Sequence, residues 1–251
     1  MRVYFASDFH LKFTRKKKDA EQYNKIISFL DSIIGNADLL ILNGDIFDLW
    51  FVWKTVIIKG YFPILKKMAD LREKGCRIVF IAGNHDFWFR DFLTDFLDVE
   101  VYPDNFSEII DGMKIFVSHG DLFTTNDFRY KIFRSLIRNN FFKKIFELFH
   151  PNFSLVFGKL LSRSSRDRKS HPELEIKKEK GLVEFAKKKL KDYDLVVLGH
   201  SHAPKLIKFE NGFYANAGDW VAHQSYLKMI DGKLELCEYS LTKKERKKKK
   251  Y

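Results

Sequence analysis

The chain has 251 residues, 45% of them hydrophobic and 26 of them Phe, which suits one sizeable domain with an insertion and excludes a disordered or fibrous protein. Lys and Arg number 45 against 33 Asp and Glu, and this excess favours anionic partners such as nucleotides, phosphates or acidic lipid headgroups. Only two cysteines, Cys76 and Cys237, are present, so a disulfide framework is not expected. No apolar run suits a signal peptide or a spanning helix, and we therefore expect a cytoplasmic protein.

Short apolar runs that end in polar residues recur along the chain. The first three, RVYFASDFH, ADLLILNGD and RIVFIAGNHD, read as buried strands, and helix-like stretches lie between them over 19–34 and 61–74. The chain therefore begins as an α/β alternation. Two further runs of this kind are MKIFVSHGD and DLVVLGHSH. Because ligands of open α/β sheets bind beyond the carboxyl ends of the strands, the five polar endings are expected to converge there.

Residues 121–181 have a different pattern, which predicts a helical cap insertion. Apolar side chains recur at helical spacing from Phe128 to Phe149, and Lys and Arg lie largely between them. Two interpretations remain open. The helices either pack as an amphipathic pair on the main core, or form a basic cap with an apolar face that holds a lipid or touches a membrane surface.

The segments after the insertion are short and alternating, with turn signals at Asn211-Gly212 and Asp231-Gly232. They predict hairpins of a second sheet. The domain is thus expected to run over 1–241 and to be followed by a basic tail, 242–251. The tail reads either as a solvated, disordered segment or as an electrostatic anchor for acidic lipid.

The five strand ends carry oxygen and imidazole groups that together predict a metal centre, although any one histidine alone is more often structural. The set is Asp8, His10, Asp45, Asn84, His119, His200 and His202. Such mixed ligands suit Mn, Fe, Co or Zn better than Ca. We expect two divalent ions that share Asp45, and Mn²⁺ is the expected metal, with Fe, Co or Zn as alternatives. In extended backbone, residues i and i+2 project on one face, so Asp8 and His10 reach one ion. The same holds for His200 and His202.

Two ions about 3.5–4 Å apart lower the pKa of bound water from about 15.7 towards 7, which makes hydrolysis at phosphorus the natural reaction. His85 and Asp45 are the predicted catalytic residues. His85 follows Asn84 and can donate a proton or a hydrogen bond to the leaving oxygen. Asp86 is expected to orient the local turn or ring.

The motifs DFH, GDIFD, GNHD, SHGD and GHSH, in this order, resemble the signature of the calcineurin-like metallophosphoesterase superfamily. The resemblance implies an α/β fold, an α+β sandwich of two mixed β-sheets face to face, flanked by helices. It also implies one metal held by Asp8, His10, Asp45 and His202, and another held by Asp45, Asn84, His119 and His200.

A closer resemblance covers nearly the whole chain apart from the tail. SDFHL and HGDLFTTNDFRYKIFR, together with FHPNF, SRSSR and GDW, are similar to the UDP-2,3-diacylglucosamine pyrophosphatases of lipid A synthesis. By this resemblance the enzyme would cleave the diphosphate of UDP-2,3-diacylglucosamine, releasing UMP and 2,3-diacylglucosamine 1-phosphate, at the inner face of the inner membrane. The best-known members read GNRD where this chain reads GNHD, so His85 matches the wider superfamily instead.

Five polar residues are expected to contact this substrate. Asp127 and Tyr130 match family positions that contact the glucosamine, Arg163 and Arg166 are our candidates for phosphate contacts, and Asn84 is expected to reach the substrate as well as a metal.

The aromatic residues just after Asp45 are candidates for an acyl site. Burying one methylene contributes about 0.8 kcal/mol, so an acyl chain offers several kcal/mol of binding energy to an apolar wall beside the metals. Trp50, Phe51 and Trp53 can form this wall, or they are ordinary core.

The main alternative is another phosphoesterase of the same superfamily that acts on a nucleotide, a phosphoprotein or nucleic acid. A basic protein that binds nucleic acid through charge alone is a hypothesis of another class, but the Lys excess is dispersed, so no dedicated nucleic-acid partner is expected. The expected partners are the lipid-nucleotide substrate and an acidic membrane surface, which the protein contacts peripherally.

Overall fold

Two mixed β-sheets form the framework of the computed structural model, which describes residues 1–14, 17–124, 128–156 and 172–240. At 18, 128–131, 133, 140 and 172–175 only the backbone is described. The strands are β1 (Arg2–Ala6), β2 (Leu39–Asn43), β3 (Arg77–Ile81), β4 (Glu100–Tyr102), β5 (Asn105–Ile110), β6 (Met113–Ser118), β7 (Leu195–Leu198), β8 (Lys205–Phe209), β9 (Gly212–Asn216), β10 (Ser225–Ile230) and β11 (Lys233–Glu238). The helices are α1 (Ala20–Ile33), α2 (Phe62–Glu73), α3 (Phe128–Ile137), α4 (Asn140–Leu148) and α5 (Pro172–Lys189), with short helical turns at Lys17–Asp19, Lys59–Tyr61 and Phe92–Phe96.

The sheets combine parallel and antiparallel strands. The first has the order β11-β10-β1-β2-β3-β4, in which β1 to β4 are parallel and β10 runs antiparallel to β1. The second has the order β5-β6-β7-β9-β8, with a parallel centre and an antiparallel strand at each edge. The predicted α/β fold with two mixed sheets is therefore confirmed.

Three apolar layers hold this framework together. Strands buried on both faces, such as β2 with five buried residues in LLILN, supply the layer between the sheets, where Ile41 and Val79 pack with Val117 and Val197. The helices α1 and α2 cover the outer face of the first sheet. Helix α5 covers the outer face of the second sheet. The resulting order of layers is helix, sheet, sheet, helix.

The hairpin of β10 and β11 lies in the first sheet, whereas the sequence predicted it in the second. Strand β10 pairs with β1, so that Val3 lies opposite Met229, and the alternation in SYLKMI turns Leu227 and Met229 into the core between the sheets. The hairpin of β8 and β9 joins the second sheet as predicted.

The described helices of the insertion both pack on the core and expose apolar residues. Phe146 contacts Phe51 and Trp88 with ring centroids 4.8 and 4.9 Å apart, so one face of α4 packs as the first interpretation expected. Other apolar side chains of the insertion face solvent, among them Leu148 and Phe153. Helix α5 begins inside the predicted insertion and continues beyond its expected end at 181. Among the described helices, none combines the length and the apolar character needed to cross a bilayer.

Replacing Ile41 by Ala tests the layer between the sheets. Ile41 is fully buried there, so the Ile41→Ala variant should lose about 2–5 kcal/mol of unfolding free energy, measured by urea denaturation. The matched control is Ile109→Ala, because Ile109 is 68% exposed and its loss should change the unfolding free energy by less than about 0.5 kcal/mol. Equal losses in the two variants would contradict the assigned core.

Candidate metal centre

Loops at the carboxyl ends of the strands bring the predicted ligands together. The loop after β1 pairs with the loop after β2, since the main-chain N–H of Asp8 donates to Gly44 at 3.0 Å and that of His10 donates to Asp45 at 2.9 Å. In the second sheet, the N–H of Gly199 donates to the carbonyl of His119 at 2.9 Å. These hydrogen bonds place residues from distant parts of the chain around one centre.

The backbone at the ligand residues is left-handed, which corrects the predicted extended geometry. Asp8 and His10 lie beyond the end of β1 with φ of 55° and 47°, and His200 and His202 have φ of 66° and 57°. Such angles are uncommon for residues with a side chain, and they concentrate where the surrounding structure imposes them. The spacing of two residues does bring each pair to the centre, but through a turn and not through a strand.

The first group of ligand atoms comprises Asp8, His10 and His202. The Nε2 atoms of the two imidazoles lie 3.1 Å apart, and Nε2 of His202 lies 3.2 Å from Oδ1 of Asp8. Asp8 is fully buried and His10 nearly so, whereas the His202 side chain is 40% exposed. The group therefore opens to solvent on the His202 side.

The second group surrounds Asp45. Its Oδ2 lies 3.4 Å from Nε2 of His119, and that nitrogen lies 3.2 Å from Oδ1 of Asn84. The ring of His200 lies 5.2 Å from the ring of His119. Because Oδ2 of Asp45 is also 3.9 Å from Nε2 of His10, this one carboxylate faces imidazoles of both groups.

Main-chain carbonyls orient two of the histidines. Nδ1 of His119 lies 3.0 Å from the carbonyl of Asn43, and Nδ1 of His85 lies 3.1 Å from the carbonyl of Asp48. Since a carbonyl only accepts, each Nδ1 carries the hydrogen and donates it. In each ring it is Nε2, the other nitrogen, that faces Asp45.

Asp219 is a supporting residue that the sequence reasoning did not assign. It is buried, its Oδ1 accepts hydrogen bonds from the N–H groups of residues 221, 222 and 223, and its Oδ2 lies 3.7 Å from Nδ1 of His202 and 3.1 Å from Nδ1 of His223. The carboxylate behind His202 orients that ring. The motif GDW contains Asp219, but only the tertiary contact with His202 reveals its role.

The carboxylate of Asp86 fixes the turn that presents Asp45. It accepts hydrogen bonds from the N–H groups of residues 45, 46, 47 and 83 at 2.7–3.1 Å. Gly44 completes this turn with φ of 76°, and a Cβ there would lie 2.6 Å from Nδ1 of His119. The turn thus requires glycine both for its backbone and for the close approach of His119.

The remaining predicted residues lie at the edge of this centre, in the core or outside the described side chains. His85 is half-buried, with Nε2 4.0 Å from Oδ2 of Asp45. Trp50 is 2% exposed and stacks on Phe47 and Tyr61, so its ring belongs to the core, the alternative interpretation of these aromatics. Asp127, Arg163, Arg166 and the tail 242–251 lie outside the described residues, and only the backbone of Tyr130 is described.

Opposed charges shift the pKa values of the buried imidazoles. Burial alone lowers an imidazole pKa, but Asp48 and Asp45 outweigh it and raise the pKa of His10 to about 9. Against the same effect of burial, Asp45 raises the pKa of His119 to about 10. Burial and the neighbouring His119 lower the pKa of His200 to about 3. Among these three imidazoles, His200 therefore stays neutral at neutral pH, whereas His10 and His119 hold a proton.

The donor set fits divalent metal ions. Within the part of the chain that the structure describes, three groups have ligand atoms that all lie within 4.8 Å of one another, namely Asp8, His10 and His202; His10, Asp45 and His85; and Asp45, His119 and His200. Buried carboxylates beside converging Nε2 atoms are costly without a cation and suit transition metals when one is bound. Divalent ions held here would supply Lewis-acid activation of water and of phosphoryl oxygens.

A two-sheet sandwich with this cluster at its strand ends defines a metal-dependent hydrolase. The family described as calcineurin-like phosphoesterase matches residues 1–204, and the chain belongs to that family. The UDP-2,3-diacylglucosamine hydrolase of Porphyromonas gingivalis is 28% identical over 248 residues, which cover 90% of this chain and 92% of that protein. The hydrolase of the same name from Neisseria meningitidis is 25% identical over 92% of this chain and 94% of its own length.

The solved structures support the same fold. A novel archaeal phosphodiesterase aligns over 95% of this chain and 99% of its own, with a TM-score of 0.50 and 15% sequence identity.

We predict that Mn²⁺ affinity increases as the pH rises from 7 to 9. In protein prepared without metal, His10 and His119 are protonated at pH 7, and a cation must displace those protons because it binds the neutral imidazole. Raising the pH removes this competition. Titration calorimetry in buffers with different ionisation enthalpies should show protons released on binding. Equal affinity at pH 7 and pH 9 without proton release would contradict the prediction.

Proposed function

We propose that the protein hydrolyses the diphosphate of UDP-2,3-diacylglucosamine to UMP and 2,3-diacylglucosamine 1-phosphate, with two Mn²⁺ ions as cofactors. One observation carries the proposal: the similarity to the hydrolases of that name extends over nine-tenths of both chains and is not confined to the metal motifs. The sequence of the insertion, with its HGDLFTTNDFRYKIFR motif, is therefore part of the likeness.

The proposed ligand sets assign every predicted ligand residue to a metal. One ion is held by Asp8, His10, Asp45 and His202, and the other by Asp45, Asn84, His119 and His200. The position of Asp45 between imidazoles of both groups supports its role as the bridge. His85 is proposed to donate a proton or hydrogen bond to the leaving oxygen, and the hydrogen bond from its Nδ1 to the carbonyl of Asp48 directs Nε2 towards the centre.

The substrate contacts are proposed from the family positions. Asp127 and Tyr130 would contact the glucosamine, Arg163 and Arg166 the phosphates, and Asn84 both metal and substrate. Trp50 is packed in the core, and its main-chain N–H donates to the carbonyl of His85 at 3.4 Å. We therefore propose that Trp50 helps to hold His85 in place.

The insertion is proposed to contact an acidic membrane surface. The exposed apolar side chains among its described residues include Phe141, Phe142, Ile145, Leu148, Phe149, Phe153 and Val156, with exposed fractions from 37% to 86%. The exposed Lys144 lies among them, and the chain carries a net charge of +12. A surface that is both apolar and basic suits a bilayer with anionic headgroups, where the acyl chains of the substrate reside.

The proposed reaction predicts turnover of UDP-2,3-diacylglucosamine in the presence of Mn²⁺. Release of UMP should depend on Asp45, and the isosteric Asp45→Asn variant should lose more than about 100-fold in turnover. Loss of a residue that only orients a metal ligand typically lowers activity by about 10–100-fold, and loss of the ligand itself should lower it further. The control is Asp192→Asn, at an exposed residue away from the centre.

Two outcomes would contradict the proposal in different ways. Hydrolysis of bis-p-nitrophenyl phosphate or of a nucleotide, without hydrolysis of the lipid nucleotide, would indicate another phosphoesterase of the family, as His85 in place of Arg allows. Unchanged turnover in Asp45→Asn would contradict the bridging role.

Membrane contact predicts that two substitutions in the insertion weaken vesicle binding. The variant Leu148→Ser with Phe153→Ser removes the two apolar side chains that are most exposed among the described residues of the insertion, at 86% and 73%. Its partitioning to phosphatidylglycerol vesicles in a flotation assay should fall by more than about tenfold, because each buried side chain contributes about 1.5–3 kcal/mol. The control is Ile109→Ser on β5. Unaltered partitioning of the double variant, or an equal loss in the control, would contradict the proposal.

A further inference from the structure

The first helix of the insertion is joined to the loop that presents Asn84 and His85. We call residues 83–90 the Asn84 loop. The guanidinium of Arg138, the residue that follows α3, donates from Nη2 to the carbonyl of Gly83 at 2.8 Å and from Nη1 to the carbonyl of Pro103 at 2.9 Å. The side chain is 16% exposed. It therefore links the end of α3 to the loop after β3, through Gly83, and to the chain just after β4, through Pro103.

Further contacts join the Asn84 loop to α3 and α4 of the insertion. The indole N–H of Trp88 donates to the carbonyl of Ile137 at 2.8 Å and so satisfies one of the carbonyls left without a partner at the end of α3. Lys143 donates to the carbonyl of Phe89 at 3.1 Å. The Arg138 guanidinium also lies 5.1 Å from the ring centroid of Phe87. The helix end and the Asn84 loop thus form one packed unit.

The carbonyl of Gly83 is a sensitive point of the metal centre. It belongs to the same planar peptide unit as the N–H of Asn84, so holding the oxygen fixes the direction in which the chain enters Asn84. On its other side, the N–H of Gly83 donates to Asp86 at 2.9 Å. A Cβ on Gly83 would overlap Asp45, which shows how closely this loop approaches the proposed bridging ligand.

We propose that Arg138 is a positioning residue that transmits the docking of the helical insertion to the Asn84 loop. Its planar fork reaches two carbonyls at once, which the single ammonium of Lys does not reproduce. The insertion is then part of the metal centre and not only a surface for the substrate. The proposal rests on the assignment of Asn84 as a metal ligand under the proposed function.

The test compares Arg138→Lys with wild type by Mn²⁺ titration of the full chain and by steady-state kinetics on bis-p-nitrophenyl phosphate. This substrate has no acyl chains for the insertion to contact. Affinity for one of the two Mn²⁺ ions should weaken about 10–100-fold, and kcat should fall with little change in KM. The matched control is Arg77→Lys, at the start of β3, where Arg77 pairs with Glu100 and Glu108.

Each outcome decides for or against the proposal. Wild-type Mn²⁺ affinity in Arg138→Lys would overturn the proposal. A loss of thermal stability in Arg138→Lys equal to that in Arg77→Lys, with no other change, would overturn it as well. If Arg138→Lys does not fold, Trp88→Phe removes the indole donor to Ile137 from the other side, and wild-type Mn²⁺ affinity there would overturn it equally. The variant Asn84→Ala tests the ligand assignment separately from the role of Arg138. Two Mn²⁺ ions bound at wild-type affinity in this variant would show that Asn84 is not a metal ligand, without bearing on whether Arg138 positions the loop.

Discussion

The metal centre depends on one buried carboxyl group, that of Asp86, which is shielded from solvent. Asp86 accepts hydrogen bonds from four main-chain N–H groups and thereby ties the loop after β3 to the loop after β2. Burial and the neighbouring Asp45 raise the pKa of Asp86 to about 7, while its hydrogen bonds from main-chain N–H groups act in the opposite direction. Through these four hydrogen bonds the carboxyl group determines the direction of the chain on both sides. Asp45 enters the centre with φ of 53° because the turn around it is held in this way, and Gly44 and Gly83 leave the space that the turn requires.

The charges at the centre balance one another within a small buried volume. Burial acts to raise the pKa of Asp45, but the surrounding imidazoles, His119 and His85 first, hold it well below its usual value. The same contacts raise the pKa of His119. Carboxylates and imidazoles therefore stabilise each other's charges, and the hydrogen bond that Nδ1 of His119 donates to the carbonyl of Asn43 directs Nε2 of that ring inward.

The insertion connects this chemistry to the surface of the molecule. One face of α4 packs on the aromatic residues beside the Asn84 loop, and the opposite face exposes Phe and Leu to solvent. The exposed face thus lies on a helix whose other face packs on Phe51 and on Trp88 of the Asn84 loop.

The sequence alone determined most of the strands and the identity of the polar groups that follow them, because these depend on local patterns of apolar and polar residues. The two mixed sheets were implied by the resemblance of the motifs to a known family, and the predicted strands do not include β4 and β5. Tertiary structure decided what depends on distant partners. The hairpin of β10 and β11 joins β1, Asp219 stands behind His202, and Trp50 packs into the core. The left-handed backbone at Asp8 and His10 likewise arises from pairing with the loop after β2. No local pattern specifies these contacts, since each requires knowing which distant segment provides the opposing surface.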